Sequence, residues 1–141
     1  GRGRADRDGV GRMSVGVVIV DGPLGPAEAT PGLGAGQGAF VVFEGVVRPD
    51  EAGRPISGLV YQAYRPMAAR QLEELAGAAV RQYRLLGVRV EHSEGFVPVG
   101  RASFRLTVWS EHRAEALAAM GWFIDAMKRD VPIWKQPRAA D

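Results

Sequence analysis

The 141-residue chain has no cysteine, two histidines and, among its eighteen basic residues, only two lysines. The absence of cysteine excludes disulfides, thiolate metal sites and a thiol nucleophile. His92 and His112 alone are too few imidazoles for a protein-held transition metal. No apolar run approaches the roughly 18 residues that span a bilayer, and the N-terminal residues lack the basic-then-apolar pattern of a signal peptide. The chain is therefore read as cytoplasmic.

The two lysines stand against sixteen arginines, and both fall in the run Ala126-Met127-Lys128-Arg129-Asp130-Val131-Pro132-Ile133-Trp134-Lys135. Arginine stays protonated at any working pH. A lysine amine can lose its proton in dry or positive surroundings and then serves as nucleophile or base. A chain that uses arginine elsewhere is expected to keep lysine where an amine is required. Drift from Lys to Arg in a GC-rich genome is the alternative account of the same count.

A length of 141 residues with 46% hydrophobic and 24% charged content suits one globular domain. Four arginines and two aspartates in Gly1–Arg12 carry the whole formal charge of +2, leaving fourteen basic and fourteen acidic residues in the remainder. The high pI is thus not the footprint of a nucleic-acid-binding face, which argues against a single-strand binder built on Trp109, Trp122 and Trp134. Residues 1–12 read as a disordered tail, Met13 as the true start, and residues 13–141 as a single domain.

Val15–Val20 reads as a short strand, and Asp21–Gly38 has linker composition. The glycine run Gly32–Gly38 lacks the spacing of a nucleotide-binding loop and precedes a strand rather than a helix. Ala39–Val47 and Ile56–Tyr64 are β-branched and aromatic runs, expected to form a hairpin across the long, mobile polar connection Pro49–Pro55. Pro66 suits the first turn of a helix whose apolar positions Leu72, Leu75, Ala76, Ala79, Val80 and Tyr83 repeat at three and four. Val88–His92 and Ala102–Trp109 give two more strands, joined through Gly95–Gly100. A second helix is expected from Ser110, as N-cap, to about Arg129, with Pro132 ending it. Connections too short for crossovers between most strand pairs favour an α+β domain with a mainly antiparallel sheet and two main helices.

In the second helix Leu117, Met120, Gly121, Ile124 and Met127 are expected to form the apolar stripe, with Lys128 beside it. Lys135 follows a helix break, so the chain can fold back and bring the two amines, seven residues apart, into one pocket. His112 and Arg113 open the same helix, where free backbone N–H groups favour an anion. Arg113 and Lys128 are fifteen residues apart, about 22 Å at 1.5 Å per residue. One small ligand touches both only if a second copy, packed antiparallel, supplies His112 and Arg113. Arg48 ends a strand just before the polar turn.

These residues resemble the large, catalytic subunit of molybdopterin synthase, the MoaE family. The matching pieces are Gly38-Ala39 through Phe43-x-Gly45-x-Val47-Arg48, then Tyr64-x-x-Met67, His112-Arg113, Met127-Lys128 and Pro132-Ile133-Trp134-Lys135. Their order and spacing cover the chain from about Val15 to Lys135. The resemblance implies an α/β-hammerhead fold and a homodimer with a small ubiquitin-like partner at each outer end, making a heterotetramer. The partner's C-terminal Gly-Gly thiocarboxylate would donate sulfur to cyclic pyranopterin monophosphate, and two such transfers would build the dithiolene of molybdopterin.

By the same match Lys128 and Lys135 would be catalytic, and Val46, Val47, Arg48, His112, Arg113, Lys128, Lys135 and Gln136 would bind substrate, with His112 and Arg113 reaching in from the other subunit. No metal or cofactor held by the chain is implied; with no cysteine, the sulfur arrives on another molecule. Relatives commonly have lysine where Val46 stands, so a contact there would use backbone. They also continue with a charged, often acidic segment where this chain has Gln136-Pro137-Arg138-Ala139-Ala140-Asp141. The alternative within the same fold is a carrier-binding or regulatory paralogue without turnover.

Overall fold

A computed structural model of the chain describes residues 14–27 and 36–141; the tail Gly1–Arg12, Met13 and residues 28–35, which include part of the glycine run, lie outside them. Along the chain the elements are β1 (Ser14–Asp21), β2 (Ala39–Val46), β3 (Asp50–Glu51), β4 (Arg54–Ala63), α1 (Arg65–Tyr83), β5 (Gly87–Pro98), β6 (Ala102–Ser110), α2 (Arg113–Asp130) and β7 (Ile133–Ala139). The strands form one seven-stranded sheet in the order β2-β6-β5-β4-β3, with β1 beside β5 and β7 beside β4. Every pairing is antiparallel except β1 with β5. This is the expected α+β architecture of two helices on a mainly antiparallel sheet.

The partners of the strands differ from expectation. Val46 and Ile56 do not flank a hairpin: β2 pairs with β6, from Ala39 opposite Ser110 to Val46 opposite Ala102. The polar connection instead contains a tight hairpin of its own between β3 and β4. Its two turn residues both have positive φ, Ala52 at 51° and Gly53 at 79°, which is what a two-residue turn between right-twisted strands demands. β5 also runs further than expected, through Gly95 to Pro98. It pairs with β1 and β6 as far as Glu94 and His92 respectively, then turns to β4 from Gly95 onward. Gly95, with φ of 89°, sits at the change of partner, where a side chain would strain the backbone.

Pro66 occupies the first turn of α1, and Ala68, Leu72, Ala76, Ala79 and Val80 form its buried stripe. α2 differs from its expected form at both the cap and the stripe. Ser110 is the last residue of β6, its hydroxyl donating to the His112 carbonyl, and His112 is the N-cap, with extended backbone and no capping side-chain hydrogen bond. The buried face of α2 is Ala116, Ala119, Met120, Phe123, Ala126 and Met127, whereas Leu117 is 57% exposed and Gly121 is exposed. The small alanines let α2 approach α1 and the sheet closely, so the inward face is set by fit rather than by the largest apolar residues. The two helices and the inner face of the sheet enclose one core around Leu72, Phe123, Leu106, Val88 and Val90.

On the opposite sheet face Arg105 is inserted between Glu44, at 2.6 Å, and Glu91, at 2.9 Å, its direct neighbours across β2 and β5. The same guanidinium donates to the Gly25 carbonyl at 2.6 Å, tying down the segment after β1. One cation between two carboxylates pairs the buried guanidinium, while Glu44 itself stays exposed.

The backbone of Gly38 lies against residue 111, just before α2. Its N–H donates to the Ser110 carbonyl at 3.0 Å, and a Cβ placed there would collide with the Glu111 carbonyl oxygen. Gly38→Ala is therefore expected to destabilise the protein by about 1–3 kcal/mol, the usual cost of forcing atoms into a closed space. Thermal unfolding of the variant measures it, and an unchanged midpoint would show that the segment yields freely.

Candidate active site

Where β2 leaves the sheet and α2 gives way to β7, the surface encloses a cavity of about 630 Å³, within the range that holds a small organic ligand. One wall is Phe43 and Gly45–Arg48 with Glu51. The floor is Leu59 and Tyr61 from β4, His92 from β5, and Ser103 and Phe104 from β6. The other wall is Ile124, Met127 and Lys128 from the end of α2, then Val131, Ile133 and Lys135.

The two lysines reach one cavity because of the break between them. α2 ends at Asp130, Val131 adopts an extended conformation, and β7 returns antiparallel to β4, with Lys135 opposite Tyr61. Pro132 supplies the break, having no N–H for a continuing helix. Arg48 arrives from the end of β2, beyond the bulge at Gly45/Val46. Lys135 lies 3.5 Å from Glu51, with its side chain half exposed, so this pair steers the amine more than it stabilises the fold. Lys128 and Arg48 have no ion-pair partner among the described residues. An excess of cations over carboxylates in a concave site selects anions.

Of the sequence candidates, Val46, Val47, Arg48, Lys128 and Lys135 line this cavity. Gln136 does not: the alternation along β7 that turns Ile133 and Lys135 inward turns Gln136 to the other side. There its neighbour Arg138 stacks 4.8 Å from the Phe96 ring. His112 and Arg113 are exposed at the N-terminal end of α2 and do not line the cavity of their own chain.

Three polar residues of the floor were not among the candidates. The Tyr61 and Ser103 hydroxyls are 2.9 Å apart and hydrogen-bonded. His92 is 6% exposed, stacked edge-on to Tyr61 at 5.3 Å and tilted against Phe104 at 5.8 Å. Its Nδ1 lies 2.8 Å from the Ser93 carbonyl oxygen, an acceptor only, so Nδ1 carries the proton. Burial lowers the His92 pKa from the ordinary imidazole value, and the Ser93 contact only partly opposes this; the ring is neutral at pH 7. The alternation of Val88, Val90 and His92 along β5 was a signal that this histidine faces inward. Among the described residues no cluster of three or more potential ligands is arranged to hold a metal ion, and no helix is long and apolar enough to cross a membrane.

The fold and site thus define an α+β domain with a cavity where α2 meets β7, lined by Arg48, Lys128 and Lys135 against the single carboxylate of Glu51. The chain belongs to the MoaE protein family, whose model matches residues 20–130. It is 40% identical over 99 residues to the molybdopterin synthase catalytic subunit of Thermoplasma volcanium, covering 70% of this chain and 72% of that one. It is 35% identical over 119 residues to molybdopterin synthase catalytic subunit 1 of Mycobacterium tuberculosis, covering 84% and 81%. Among solved structures it resembles molybdopterin synthase from Staphylococcus aureus, with a TM-score of 0.72 at 31% identity over 77% of this chain and 79% of that one. It also resembles the complex of subunits 1 and 2 of molybdopterin-converting factor from Helicobacter pylori, with a TM-score of 0.67 at 25% identity over 89% and 90%.

Proposed function

We propose that this chain is the catalytic subunit of a molybdopterin synthase, moving sulfur from the C-terminal thiocarboxylate of a small ubiquitin-like carrier to cyclic pyranopterin monophosphate. The convergence of Arg48, Lys128 and Lys135 on one cavity carries this reading. Both reactants are anions, and bringing them together requires fixed positive charge where negative charge develops. In each transfer the thiocarboxylate sulfur forms a carbon–sulfur bond to the substrate as a substrate carbon–oxygen bond breaks, and water then cleaves the acyl–sulfur bond, leaving a carboxylate on the carrier and a thiolate on the product; two transfers give the dithiolene. Lys128, without a carboxylate partner, is the catalytic amine, and Lys135, held toward Glu51, positions the carrier tail. Arg48 and the backbone of Val46 and Val47 hold the substrate. In this reading sulfur comes from the carrier, no resident cofactor takes part, and the chain works in the cytoplasm.

A homodimer completes the site in this reading. His112 and Arg113 lie about 22 Å along α2 from Lys128, so they serve the cavity of a second copy, where they reach the phosphate. Phe40, Val42, Phe43 and Val46 on β2 and Leu117 on α2 are exposed apolar side chains that such a copy covers. The carrier binds as a separate chain, as the two-subunit complex from Helicobacter pylori supports, giving a heterotetramer.

A single-turnover assay tests the reading. Mixed with thiocarboxylated carrier and cyclic pyranopterin monophosphate, the protein is expected to form molybdopterin, followed by the fluorescence of its oxidised form. Carrier binding without product would instead identify a regulatory paralogue.

A further inference from the structure

We propose that His92 is a substrate-positioning residue whose Nε2 accepts a hydrogen bond from an N–H group on the pterin ring system of the substrate. The inference rests on the sulfur-transfer reading and assigns the heterocycle, rather than the phosphate, to the floor of the cavity.

The cavity divides by chemistry. Arg48, Lys128 and Lys135 can only donate hydrogen bonds, and they suit the phosphate and the thiocarboxylate. The side-chain acceptors lining the cavity are fewer. Glu51 faces Lys135, and the Tyr61 and Ser103 hydroxyls face each other. His92 adds a neutral acceptor of fixed direction, because its Nδ1 proton goes to the Ser93 carbonyl and Nε2 has no partner among the described residues, whereas the two hydroxyls can rotate between donating and accepting.

The ring is mostly buried while the residue lines the cavity, so a ligand N–H can replace water at the free Nε2 lone pair. A reduced pterin is planar over its pyrimidine half and carries ring N–H groups and an exocyclic amine, all donors. The aromatic rings around His92, those of Tyr61 and Phe104, give such a ring an apolar surface to lie on. A rigid floor fits this task, since the β5 backbone holds the imidazole tautomer and the two rings hold its plane.

The test compares His92→Phe, His92→Gln and His92→Met in the full chain. Equilibrium binding of cyclic pyranopterin monophosphate and of the carrier is measured by calorimetry, with thermal midpoints recorded alongside. His92→Phe keeps an aromatic ring but loses the acceptor, and is expected to weaken pterin binding about tenfold, the usual effect of one lost hydrogen bond. His92→Gln offers an amide oxygen and is expected to stay within about threefold of the native affinity. Carrier affinity is expected to be the same in all variants.

If the Phe variant does not fold, Gln and Met, alike in length, make the same comparison, with only Met losing about tenfold. Native pterin affinity in a folded Phe or Met variant would overturn the role of His92 and leave the sulfur-transfer reading standing. A Gln variant as weak as Met would also overturn it, by showing that shape rather than the acceptor matters. Failure of the native protein to bind the pterin phosphate at all would overturn the reading and the inference together.

Discussion

Replacement of Lys128 by alanine is expected to lower the rate of sulfur transfer by about 100- to 10,000-fold, the range for loss of a positioned proton-transfer group. The side chain is exposed on the last turn of α2 and has no ion-pair partner among the described residues, so its loss leaves the fold and the dimer intact. Carrier and pterin binding fall much less than the rate. Lys128→Arg separates charge from amine chemistry. Arginine retains the charge but cannot give up its proton or act as a nucleophile, and the restriction of lysine to Lys128 and Lys135 points to a required amine. The Arg variant is therefore expected to stay within about tenfold of the Ala variant. Single-turnover rates for both decide the matter. Near-native turnover by Lys128→Ala would remove this residue from the mechanism, and near-native turnover by Lys128→Arg would reduce its role to electrostatics.

Mixing two inactive variants is expected to restore activity if each site draws on both copies. A Lys128→Ala chain keeps its own Arg113, and an Arg113→Ala chain keeps its own Lys128. In a mixed dimer one site is therefore doubly defective and the other is native. Random pairing makes half of the dimers mixed, so equal co-expression restores about a quarter of native activity, while either variant alone stays near zero. Activity per site in purified mixed dimers, isolated through two different tags, is the sharper measurement and is expected to approach half the native value. A mixture no more active than its parents would place Arg113 outside the partner's cavity. The spacing along α2 would then have no functional consequence.

Much of this arrangement was legible in sequence, and the remainder failed for identifiable reasons. The periodicity of Leu72, Ala76, Ala79 and Val80 located α1 to within two residues of its observed limits, because a helix face repeats locally. The stripe of α2 was harder to read. Leu117 looked like core but is exposed, while Ala116 and Ala119 are buried, since small residues carry little hydropathy signal yet permit close packing. β7 escaped notice because Lys135, Gln136, Pro137 and Arg138 give a weak strand pattern; its pairing with β4 makes it a strand.

The sequence by itself determined the elements with strong local repeats, the break at Pro132 and the two lysines on either side of it. It also determined the distance between Arg113 and Lys128, because a helix has a constant rise per residue. Only the tertiary structure decided that β2 lies beside β6 rather than β4, that Arg48 meets the lysines, and that His92 faces the same cavity. Those outcomes depend on hydrogen bonds and packing between segments far apart in the chain. A local pattern specifies which face of an element turns inward but not which neighbour it meets there.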